Sequence, residues 1–406
     1  MKGYENYRES GVLWLGRIPA HWEEKFLQQV CSVKKEKNTG NRENNVLSLS
    51  YGYVIRKRDV YSGLVASDFS TYQIVRKGDI ILRFTDLQND HNSLRTGLVQ
   101  ETGIITSAYV CITPTINNSY LHYLLHAYDV RKVFYGMGTG VRQSIGYKDI
   151  RHMLVPVPPI DEQEQIAHFL DWKISGIDRM ISIRQKQITG FAELKKALIT
   201  QTVTRGNWER VRLKRVVTVR SEKGTYRDKT DDKYIGLENI RGYSEKLIET
   251  DTEYDTSTQS RCRKGDLLFG KLRPYLAKVI IAPYDSFCTS ELLVISSFAG
   301  DMRYLRYIML SHDFISKVDS STYGAKMPRA NSTFILNISI PLPPTAEQIK
   351  ISQYLDKKCS LIDRAISNLT QQINTLKELK TSLISEAVTG KIDVRHITIP
   401  VQEKIS

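Results

Sequence analysis

The 406-residue sequence lacks the short signatures of the common enzyme classes. It has no GxxxxGK[ST] loop for nucleotide phosphates, no HExxH zinc helix, no GxSxG nucleophile turn and no Asn/Asp-Pro-Pro-aromatic run of the methyltransferase type. His122 and His126 are four residues apart, but neither a neighbouring Glu nor a third ligand accompanies them, so we interpret them as packing histidines. We therefore predict no catalytic residue, no metal site and no cofactor bound by this chain.

Cysteine and long apolar runs are also scarce. The five cysteines form no CxxC pair, which argues against a disulfide framework or a zinc ribbon and fits a reducing compartment. No uncharged apolar run approaches the ~20 residues that span a bilayer, and MKGYENYRES at the start lacks the apolar segment of a signal peptide. We expect a cytoplasmic protein without membrane association.

Positive charge is in excess. The formal net charge is +14 and the pI is about 9.3. Lys and Arg gain free energy by displacing the counterions condensed on phosphates, so this excess favours a polyanion partner such as nucleic acid; the alternative is a merely basic surface.

One long stretch of the sequence occurs twice. VPVPPIDEQEQIAHFLD begins at Val155 and IPLPPTAEQIKISQYLD at Ile340, and the match continues without a gap well beyond these segments. The offset of 185 residues far exceeds the ~20–50 residues of a solenoid repeat, so a whole globule followed by a helix is duplicated. The segments between match more weakly, as in RKGD at Arg76 and again at Arg263.

The repeated segment predicts an extended proline-rich lead followed by a long helix. Proline cannot sit inside a helix, whereas the acidic residues that follow suit a helix start. Both copies carry one heptad register, and ~40 residues at 1.5 Å each would make a helix of ~60 Å. Two such seams in one chain can bury each other antiparallel; the alternative is that each helix packs on its own globule. The predicted seam residues are Leu170, Ile174, Ile177, Ile181, Ile188, Phe191 and Leu198 in the first copy, and Leu355, Ile362, Ile366, Leu369, Ile373, Leu376 and Leu383 in the second.

The loops of both globules are rich in Arg, Lys, Asn and Gln. Arg, Asn and Gln can make bidentate contacts with base edges, and Lys and Arg neutralise phosphates. The candidate DNA-binding residues are Arg56, Lys57, Arg58, Arg83, Gln88, Asn89, Arg95, Arg142, Gln143, Arg227, Lys229, Arg241, Lys271, Arg273, Lys326, Arg329 and Asn331.

We predict a mixed α/β (α+β) fold with two similar α/β globules, separated by two long antiparallel helices in a coiled coil with pseudo-twofold symmetry. The predicted segments are a first globule at 1–154, a first helix at 155–205, a second globule at 206–339, a second helix at 340–391 and a tail at 392–406. Strands are expected at 45–49, 79–84, 108–113, 266–269 and 292–296, and shorter helices at 120–132 and 304–318.

The sequence resembles the specificity subunit of type I restriction–modification systems over essentially its whole length. The resemblance is carried by PVPP…DEQEQIAHFLD and PLPP…AEQIKISQYLD, by WLGRIPAHW from Trp14, by the two RKGD segments and by the closing SEAVTGK. It implies that the two globules are target recognition domains, each reading one half of a split, asymmetric DNA sequence in the major groove. The two helices would form the spacer on which partner subunits dock.

The resemblance also implies the partners. They are double-stranded DNA, two methyltransferase subunits that modify adenine at N6, and restriction subunits that act as ATP-dependent translocases. S-adenosylmethionine, ATP and Mg²⁺ would then be bound by those partners, and this chain would be non-catalytic.

Three alternatives remain open at this point. The first is a specificity subunit of a related system whose single partner chain both methylates and cleaves. The second is a coiled-coil interaction protein without a DNA role, against which the basic loops argue. The third is a self-sufficient nuclease, which the missing carboxylate–lysine cluster disfavours.

Overall fold

The computed structural model describes residues 2–57, 68–85, 94–137, 145–226, 233–250, 258–324 and 326–400. The chain forms two compact units: unit 1 contains residues 1–183 and 373–406, and unit 2 contains residues 184–372. Each unit therefore combines one globule with part of both long helices. The domain bounds predicted from the sequence instead place the globules and the helices in separate segments, and those bounds stay a prediction.

Unit 1 is built on a four-stranded antiparallel sheet with the order β4-β11-β8-β9. A short strand that follows the first globule's Trp22 pairs with the proline-rich lead of the first long helix, as β3 with β12. The strands are β1 (Tyr7–Glu9), β2 (Arg17–Pro19), β3 (Glu23–Phe26), β4 (Cys31–Lys34), β5 (Leu47–Ser50), β6 (Tyr53–Arg56), β7 (Gln73–Val75), β8 (Ile80–Leu82), β9 (Thr96–Leu98), β10 (Gly103–Ile105), β11 (Val110–Pro114) and β12 (Leu154–Val157).

Three helices of unit 1 precede the long one: α1 (Leu27–Val30), α2 (Asn118–Val130) and α3 (Tyr147–Ile150). Helix α2 begins after Asn117, whose side chain accepts a hydrogen bond from the backbone N–H of Tyr120, as expected of an Asn cap. It packs one buried face into the main apolar core of the unit. The predicted helix at 120–132 is thus present, shifted by two residues.

Unit 2 repeats this plan. Its four-stranded antiparallel sheet has the order β14-β21-β18-β19, and β13 pairs with the second proline-rich lead, β22. A second sheet has the order β15-β17-β20-β16, with β16 and β20 parallel. The strands are β13 (Arg210–Arg212), β14 (Val217–Val219), β15 (Lys223–Thr225), β16 (Tyr234–Ile235), β17 (Thr258–Cys262), β18 (Leu267–Gly270), β19 (Val279–Ile281), β20 (Ser286–Cys288), β21 (Leu292–Phe298) and β22 (Ser339–Pro341).

The two long helices are α4 (Ile160–Thr204), of 45 residues, and α8 (Thr345–Val388), of 44 residues. Both start directly after the prolines, with acidic residues in the first turn where the helix dipole favours them. Helix α8 is followed by Gly390, which has the positive φ of 69° typical of a residue just past a helix end.

The predicted helix at 304–318 is instead two helices. Unit 2 contains α5 (Met302–Leu310), α6 (His312–Ser320) and α7 (Ser332–Asn337). The break falls at Ser311, which has extended backbone (φ −65°, ψ 147°) and a side chain that accepts from the N–H of Phe314. A serine that can cap a helix competes with helix continuation, and here the cap prevails.

The long helices pack together and run antiparallel, as predicted. In unit 2 Lys195 bonds to Asp363 while Arg184 bonds to Gln372, so the partner's number rises as the first falls. Every predicted seam residue is buried or half-buried, so both helices turn their heptad face inward. The buried ones are Leu170, Ile174, Ile177, Ile373 and Leu383 in unit 1 and Leu355 and Ile362 in unit 2; the half-buried ones are Ile181, Ile188, Phe191, Leu198, Ile366, Leu369 and Leu376.

Candidate nucleic-acid interface

The proline–glutamine segment of the first repeat joins the globule to helix α4. The side-chain Nε2 of Gln163 donates to the carbonyl of Pro158 at 2.8 Å, and its Oε1 accepts from the backbone N–H of Asn117 at 3.0 Å. The hydroxyl of Tyr120 donates to the carbonyl of Pro156 at 2.8 Å. One buried glutamine and one buried tyrosine thus tie the proline-rich strand to the start of α2.

The second repeat makes the same bonds with its own residues. Gln348 donates to the carbonyl of Pro343 at 2.8 Å and accepts from the N–H of Asp301 at 3.1 Å. Tyr304 donates to the carbonyl of Pro341 at 3.1 Å. The repeated prolines, glutamine and tyrosine therefore form a framework that positions a recognition globule on a long helix.

A third framework contact links each long helix to the helix beside it. The hydroxyl of Tyr123 donates to Asp171 at 2.7 Å in unit 1, and that of Tyr307 donates to Asp356 at 2.8 Å in unit 2. Burial and the neighbouring carboxylate raise the pKa of both tyrosines, so each stays a protonated donor at neutral pH. The repeated Leu-Asp of the sequence is explained by this bond.

The two RKGD turns are also structural. Asp79 accepts from the Nζ of Lys34 at 2.8 Å, and Asp266 accepts from the guanidinium of Arg220 at 2.7 and 3.0 Å. Both aspartates are buried, and the glycine before each has a φ of 95° or 93°, which an L side chain rarely adopts. Lys34 and Arg220, the partners of these aspartates, therefore have a structural role beside the edge strands β4 and β14.

One contact of unit 1 is not repeated among the described residues of unit 2. Glu162 at the start of α4 accepts from Tyr4 and from the indole N–H of Trp22 at 3.0 Å, and its other oxygen lies 2.8 Å from His21 Nε2. The matching Glu347 is partly exposed on the surface of unit 2. Residues of the N-terminal segment therefore hydrogen-bond to the first turn of α4.

Seven of the candidate DNA-binding residues lie outside the described part of the chain, and ten lie within it. The seven are Arg58, Gln88, Asn89, Arg142, Gln143, Arg227 and Lys229. For these the sequence prediction stands as it was.

In unit 1, Arg56 and Lys57 lie at the end of the β5–β6 hairpin. Arg56 is exposed and forms a bidentate pair with Glu101, with Nε 2.7 Å from one carboxylate oxygen. This pairing raises the pKa of Arg56 and lowers that of Glu101. Lys57 is exposed and Arg83 is half-buried, with its Nε 3.4 Å from Thr85 Oγ1. Lys57 thus presents its charge to solvent, whereas Arg56 would first have to leave Glu101.

Arg95 does not fit the predicted role. Its exposure is 0 %, its Nη1 donates to the carbonyl of Thr85 at 2.7 Å, and its Nε donates to the hydroxyl of Tyr135 at 3.2 Å. A guanidinium buried among such acceptors organises the loop around it and is shielded from a ligand. We therefore remove Arg95 from the proposed DNA-contacting set.

In unit 2 the candidates cluster on two adjacent segments, 271–276 and 326–331. The N–H of Arg273 donates to the carbonyl of Pro328 at 2.7 Å, which holds the segments side by side. The side chains of Arg273 and Lys326 are exposed. Arg273 has a positive φ of 50°, so the segment adopts a strained turn that projects its side chains outward.

The other candidates of unit 2 are more constrained. Arg329 is held by Glu291 in a bidentate pair at 2.9 and 2.6 Å. Lys271 is half-buried, and burial lowers its pKa. Arg241 is exposed on a turn beyond β16.

Asn331 has a second role that the sequence did not reveal. Its side-chain Oδ1 accepts from the N–H of Thr333 at 2.7 Å and so caps α7. The cap uses the oxygen that a bidentate contact with adenine would also need, because that contact requires both the oxygen and the amide N–H.

Sequence reasoning missed a set of exposed aromatic and apolar side chains beside these cations. Tyr51 and Tyr53 lie on the β5–β6 hairpin of unit 1. In unit 2, Tyr275 and Met327 lie on the two loop segments and Tyr323 pairs through its backbone with Arg329. Each is at least half exposed. Aromatic rings next to Lys and Arg are typical of surfaces that contact bases and sugars. The high tyrosine content, 22 residues, was the available signal.

Within the described ranges, no cluster of three His, Cys, Asp or Glu side chains is placed to hold a metal ion. Over the same ranges, no helix has an apolar stretch that could cross a lipid bilayer.

Comparison with known proteins identifies the fold. A sequence model described as the type I restriction modification DNA specificity domain matches residues 19–189 and again 205–378. The two matches coincide with the two copies of the repeat.

Relatives resemble the chain at low identity, one of them over nearly its full length and another over about half of it. The type I restriction enzyme MjaVIII specificity subunit of Methanocaldococcus jannaschii is 24% identical, covering 97% of this chain and 97% of the relative. The EcoDI specificity subunit of Escherichia coli is 24% identical over 46% of this chain and 42% of its own length.

Two solved structures share the fold. A chain from work on complex assembly and conformational transition of the type I R-M system has a TM-score of 0.69 at 15% identity, covering 92% of this chain and 99% of that one. The HsdS subunit from Thermoanaerobacter tengcongensis has a TM-score of 0.51 at 17% identity, covering 92% and 98%.

The duplicated sheet, the paired long helices and the twice-built framework define a fold of two similar domains joined by long helices, which the solved type I structure shares. The chain belongs to the type I restriction–modification DNA specificity family, since the family model matches most of its length. It is a specificity subunit of a type I system, which binds DNA and works with methyltransferase and restriction subunits. The resemblance seen in the sequence is confirmed.

Proposed function

We propose that this chain reads a bipartite, asymmetric DNA target, with one half-site bound by each recognition domain. The observation that carries the proposal is a framework made twice with the same bonds but fitted with different loops. The bonds of Gln163 and Gln348 have the same geometry, whereas the exposed cations and tyrosines around them differ between units. Two frameworks with the same hydrogen bonds that carry different contact surfaces suit two different half-sites.

The contact surface of the first domain would be the β5–β6 hairpin and the loops beside it. Lys57 and Arg83 supply charge there, and Tyr51 supplies an exposed ring. Phosphate contacts by such cations would set the position of the domain on the duplex, and contacts with base edges would set the sequence.

The contact surface of the second domain would be the paired segments around Arg273 and Lys326. The backbone bond between Arg273 and Pro328 fixes their spacing, and Tyr275 and Tyr323 flank them. A rigid, basic and aromatic surface of this kind can follow the DNA backbone and present side chains to the groove.

We further propose the domain division 1–154, 155–205, 206–339, 340–391 and 392–406, with the two helices as spacer and scaffold. Because the framework is built twice, each half of the chain offers a similar helix surface to a partner. This favours two methyltransferase subunits, joined by restriction subunits. S-adenosylmethionine, ATP and Mg²⁺ are assigned to those partners.

Replacement of residues 1–154 by the first domain of another specificity subunit tests the proposal. The hybrid, assembled with methyltransferase, should methylate DNA at sites in which one half is new and the other unchanged. Long-read mapping of methylated adenines in a host genome measures this. A hybrid that changes both halves of the target, or neither, would contradict the assignment of one half-site to each domain.

A further inference from the structure

Unit 1 contains a cavity of about 500 Å³ between the β5–β6 hairpin, helix α2 and the last part of helix α8. His122 and His126 of α2 both line it. We propose that this cavity binds a small nucleotide-like ligand, a heteroaromatic ring carrying an anionic group. The proposal does not depend on the DNA target. The cavity shares Tyr51 and Tyr53 of the β5–β6 hairpin with the surface proposed for DNA, whereas its histidines and lysines lie outside that surface.

The repeat itself shows which residues of unit 2 correspond to the histidines. Helices α2 and α5 share framework contacts at an offset of 184 residues: Tyr120 matches Tyr304 in bonding to a proline carbonyl. Tyr123 likewise matches Tyr307 in bonding to an aspartate of the long helix. The same offset pairs the first histidine with Arg306 and the second with Leu310.

In unit 2 this position is occupied by a buried arginine that pairs with a half-exposed glutamate. Arg306 is 5 % exposed, and its guanidinium donates to Glu245 Oε1 at 2.9 Å and to the carbonyl of Ser244 at 3.0 Å. A long side chain with its own acceptors fills the position in unit 2. In unit 1 the shorter His122 lines a cavity.

The imidazole of His122 also has unused bonding capacity. Its Nε2 is buried, and none of the residues that the structure describes hydrogen-bonds to it. A buried polar atom without a partner costs about 1–3 kcal/mol, so a ligand that supplies one gains affinity there. Burial lowers the pKa of His122 to about 3 and that of His126 to about 4. Both rings are therefore neutral at pH 7, and each has one donor and one acceptor nitrogen.

The remaining lining favours a flat ligand with an anionic end. Ile174, Leu98 and Ile384 supply apolar surface, and Tyr53 supplies an aromatic ring. A heteroaromatic ring can pack on these groups while its edge offers both donors and acceptors, which suits either histidine tautomer. A hydrocarbon of the same size would leave the Nε2 of His122 without a hydrogen-bond partner.

Cations at the same cavity supply the anionic selectivity. Lys77 and Lys377 are exposed and line it together with Lys380. The last is already paired with Asp178 at 2.7 Å, so the first two remain to bind a phosphate or carboxylate group.

The proposal is tested with the full-length chain and adenosine 5′-monophosphate as the probe. Equilibrium dialysis should show saturable binding of the monophosphate, weaker binding of adenosine and no saturable binding of inorganic phosphate. His122→Arg copies the residue of unit 2, fills the cavity and should weaken monophosphate binding about tenfold or more. Since this variant adds positive charge, non-specific attraction of the anion would change in the opposite direction.

Two further variants keep the test decisive if His122→Arg does not fold. His126→Leu copies Leu310 of unit 2 and should also weaken binding of the monophosphate. Lys77→Ala should weaken binding of the monophosphate but leave that of adenosine unchanged. His152→Arg, which makes the same substitution at an exposed position outside the cavity, should bind as the unmodified chain does.

Three results would overturn the proposal. The first is the absence of saturable monophosphate binding by the unmodified chain. The second is binding that survives both histidine substitutions. The third is equal affinity for adenosine and the monophosphate, which would show that the cations play no part.

Discussion

Lys195 of helix α4 donates to both carboxylate oxygens of Asp363 in helix α8, at 2.7 and 2.8 Å. Unit 1 contains the same pair with the helices exchanged, since Lys380 of α8 donates to both oxygens of Asp178 in α4, again at 2.7 and 2.8 Å. The two lysines, like the two aspartates, are 185 residues apart. Each helix therefore supplies one cation and one anion at the same point of the repeat.

The first prediction concerns this pair. The side chain of Lys195 is 7 % exposed and that of Asp363 is 49 % exposed, so removal of the carboxylate leaves a mostly buried ammonium without its anion. Asp363→Ala should lower the free energy of unfolding by about 1–2 kcal/mol, measured by urea denaturation. Glu193→Ala breaks the exposed pair with Lys196 instead and should cost less than about 0.5 kcal/mol. Equal losses would contradict a specific role for the interhelix pair.

The second prediction concerns the glutamine of the proline segment. Gln163 is buried and makes two hydrogen bonds, one to a proline carbonyl and one to the N–H that precedes α2. Gln163→Ala should lower the free energy of unfolding by about 2–3 kcal/mol, because two buried backbone groups lose their partner. Gln185→Ala, on the exposed side of the same helix, serves as the control and should have little effect. If both variants lose the same free energy of unfolding, the interpretation of Gln163 as a framework residue is wrong.

The third prediction separates stability from DNA binding at Arg95. Arg95→Ala should lower the free energy of unfolding by about 2–4 kcal/mol, because the carbonyl and hydroxyl groups around the buried guanidinium lose their donor. DNA affinity, measured by fluorescence anisotropy at a temperature where the variant is folded, should stay within about twofold. Arg83→Ala should do the reverse, with a small stability change and weaker DNA binding. A folded Arg95→Ala protein with strongly reduced affinity would restore this residue to the DNA-contacting set.

The fourth prediction concerns the salt dependence of DNA binding. Lys326 is exposed on the loop pair of unit 2. Lys326→Ala should weaken binding to cognate and unrelated DNA by similar factors and reduce the slope of log K against log salt by about 1. Lys214→Ala removes an exposed lysine of the same unit that follows β13, outside the two loop segments, and should leave the slope unchanged. Identical slopes for all three proteins would place the DNA elsewhere.

The fifth prediction is a pH dependence of stability. Burial lowers the pKa of His126 to about 4 in the folded chain, against 6.5 for an ordinary histidine. Because the unfolded chain then binds the proton more tightly, the stabilisation is complete above about pH 6.5 and is lost as the pH falls towards 4. Between pH 7 and pH 5 the loss should be about 1–2 kcal/mol.

His126→Asn should remove about half of the pH dependence when unfolding is followed at several pH values, because burial also lowers the pKa of His122, to about 3, and this histidine contributes a loss of similar size. His152→Asn, at an exposed histidine of the same unit, should leave it as it is. A pH dependence that the His126 variant shares in full would mean that other groups cause it.

The repeat made much of the framework predictable. Prolines, glutamine and aspartate recur at one offset because each copy must make the same bonds between strand, helix and globule, as Gln163 and Gln348 do. Hydrogen bonds of this kind require the same residue types in both copies, so the sequence repeat reveals them. The pairing of the long helices was predictable for the same reason, since both carry one heptad register.

Other outcomes depended on contacts that only the folded chain shows, with residues near in sequence as well as far from it. Arg95 reads as a loop cation, yet it is enclosed by groups from residues 85 and 135. Asn331 reads as a base-contacting side chain, yet it caps a helix. The helix expected at 304–318 breaks because Ser311 caps the helix that follows it. Periodicity and residue type cannot separate these outcomes.

The sequence by itself determined that this protein is a duplicated recognition subunit with two long helices, because duplication, period and charge are written in the order of residues. Only the tertiary structure decided which cations face solvent and which form ion pairs within the protein, since burial depends on the whole packed globule. It also decided that the position of Arg306 is filled in one unit while that of His122 borders a cavity in the other. That difference arises from side-chain length and from which acceptors the fold brings within reach.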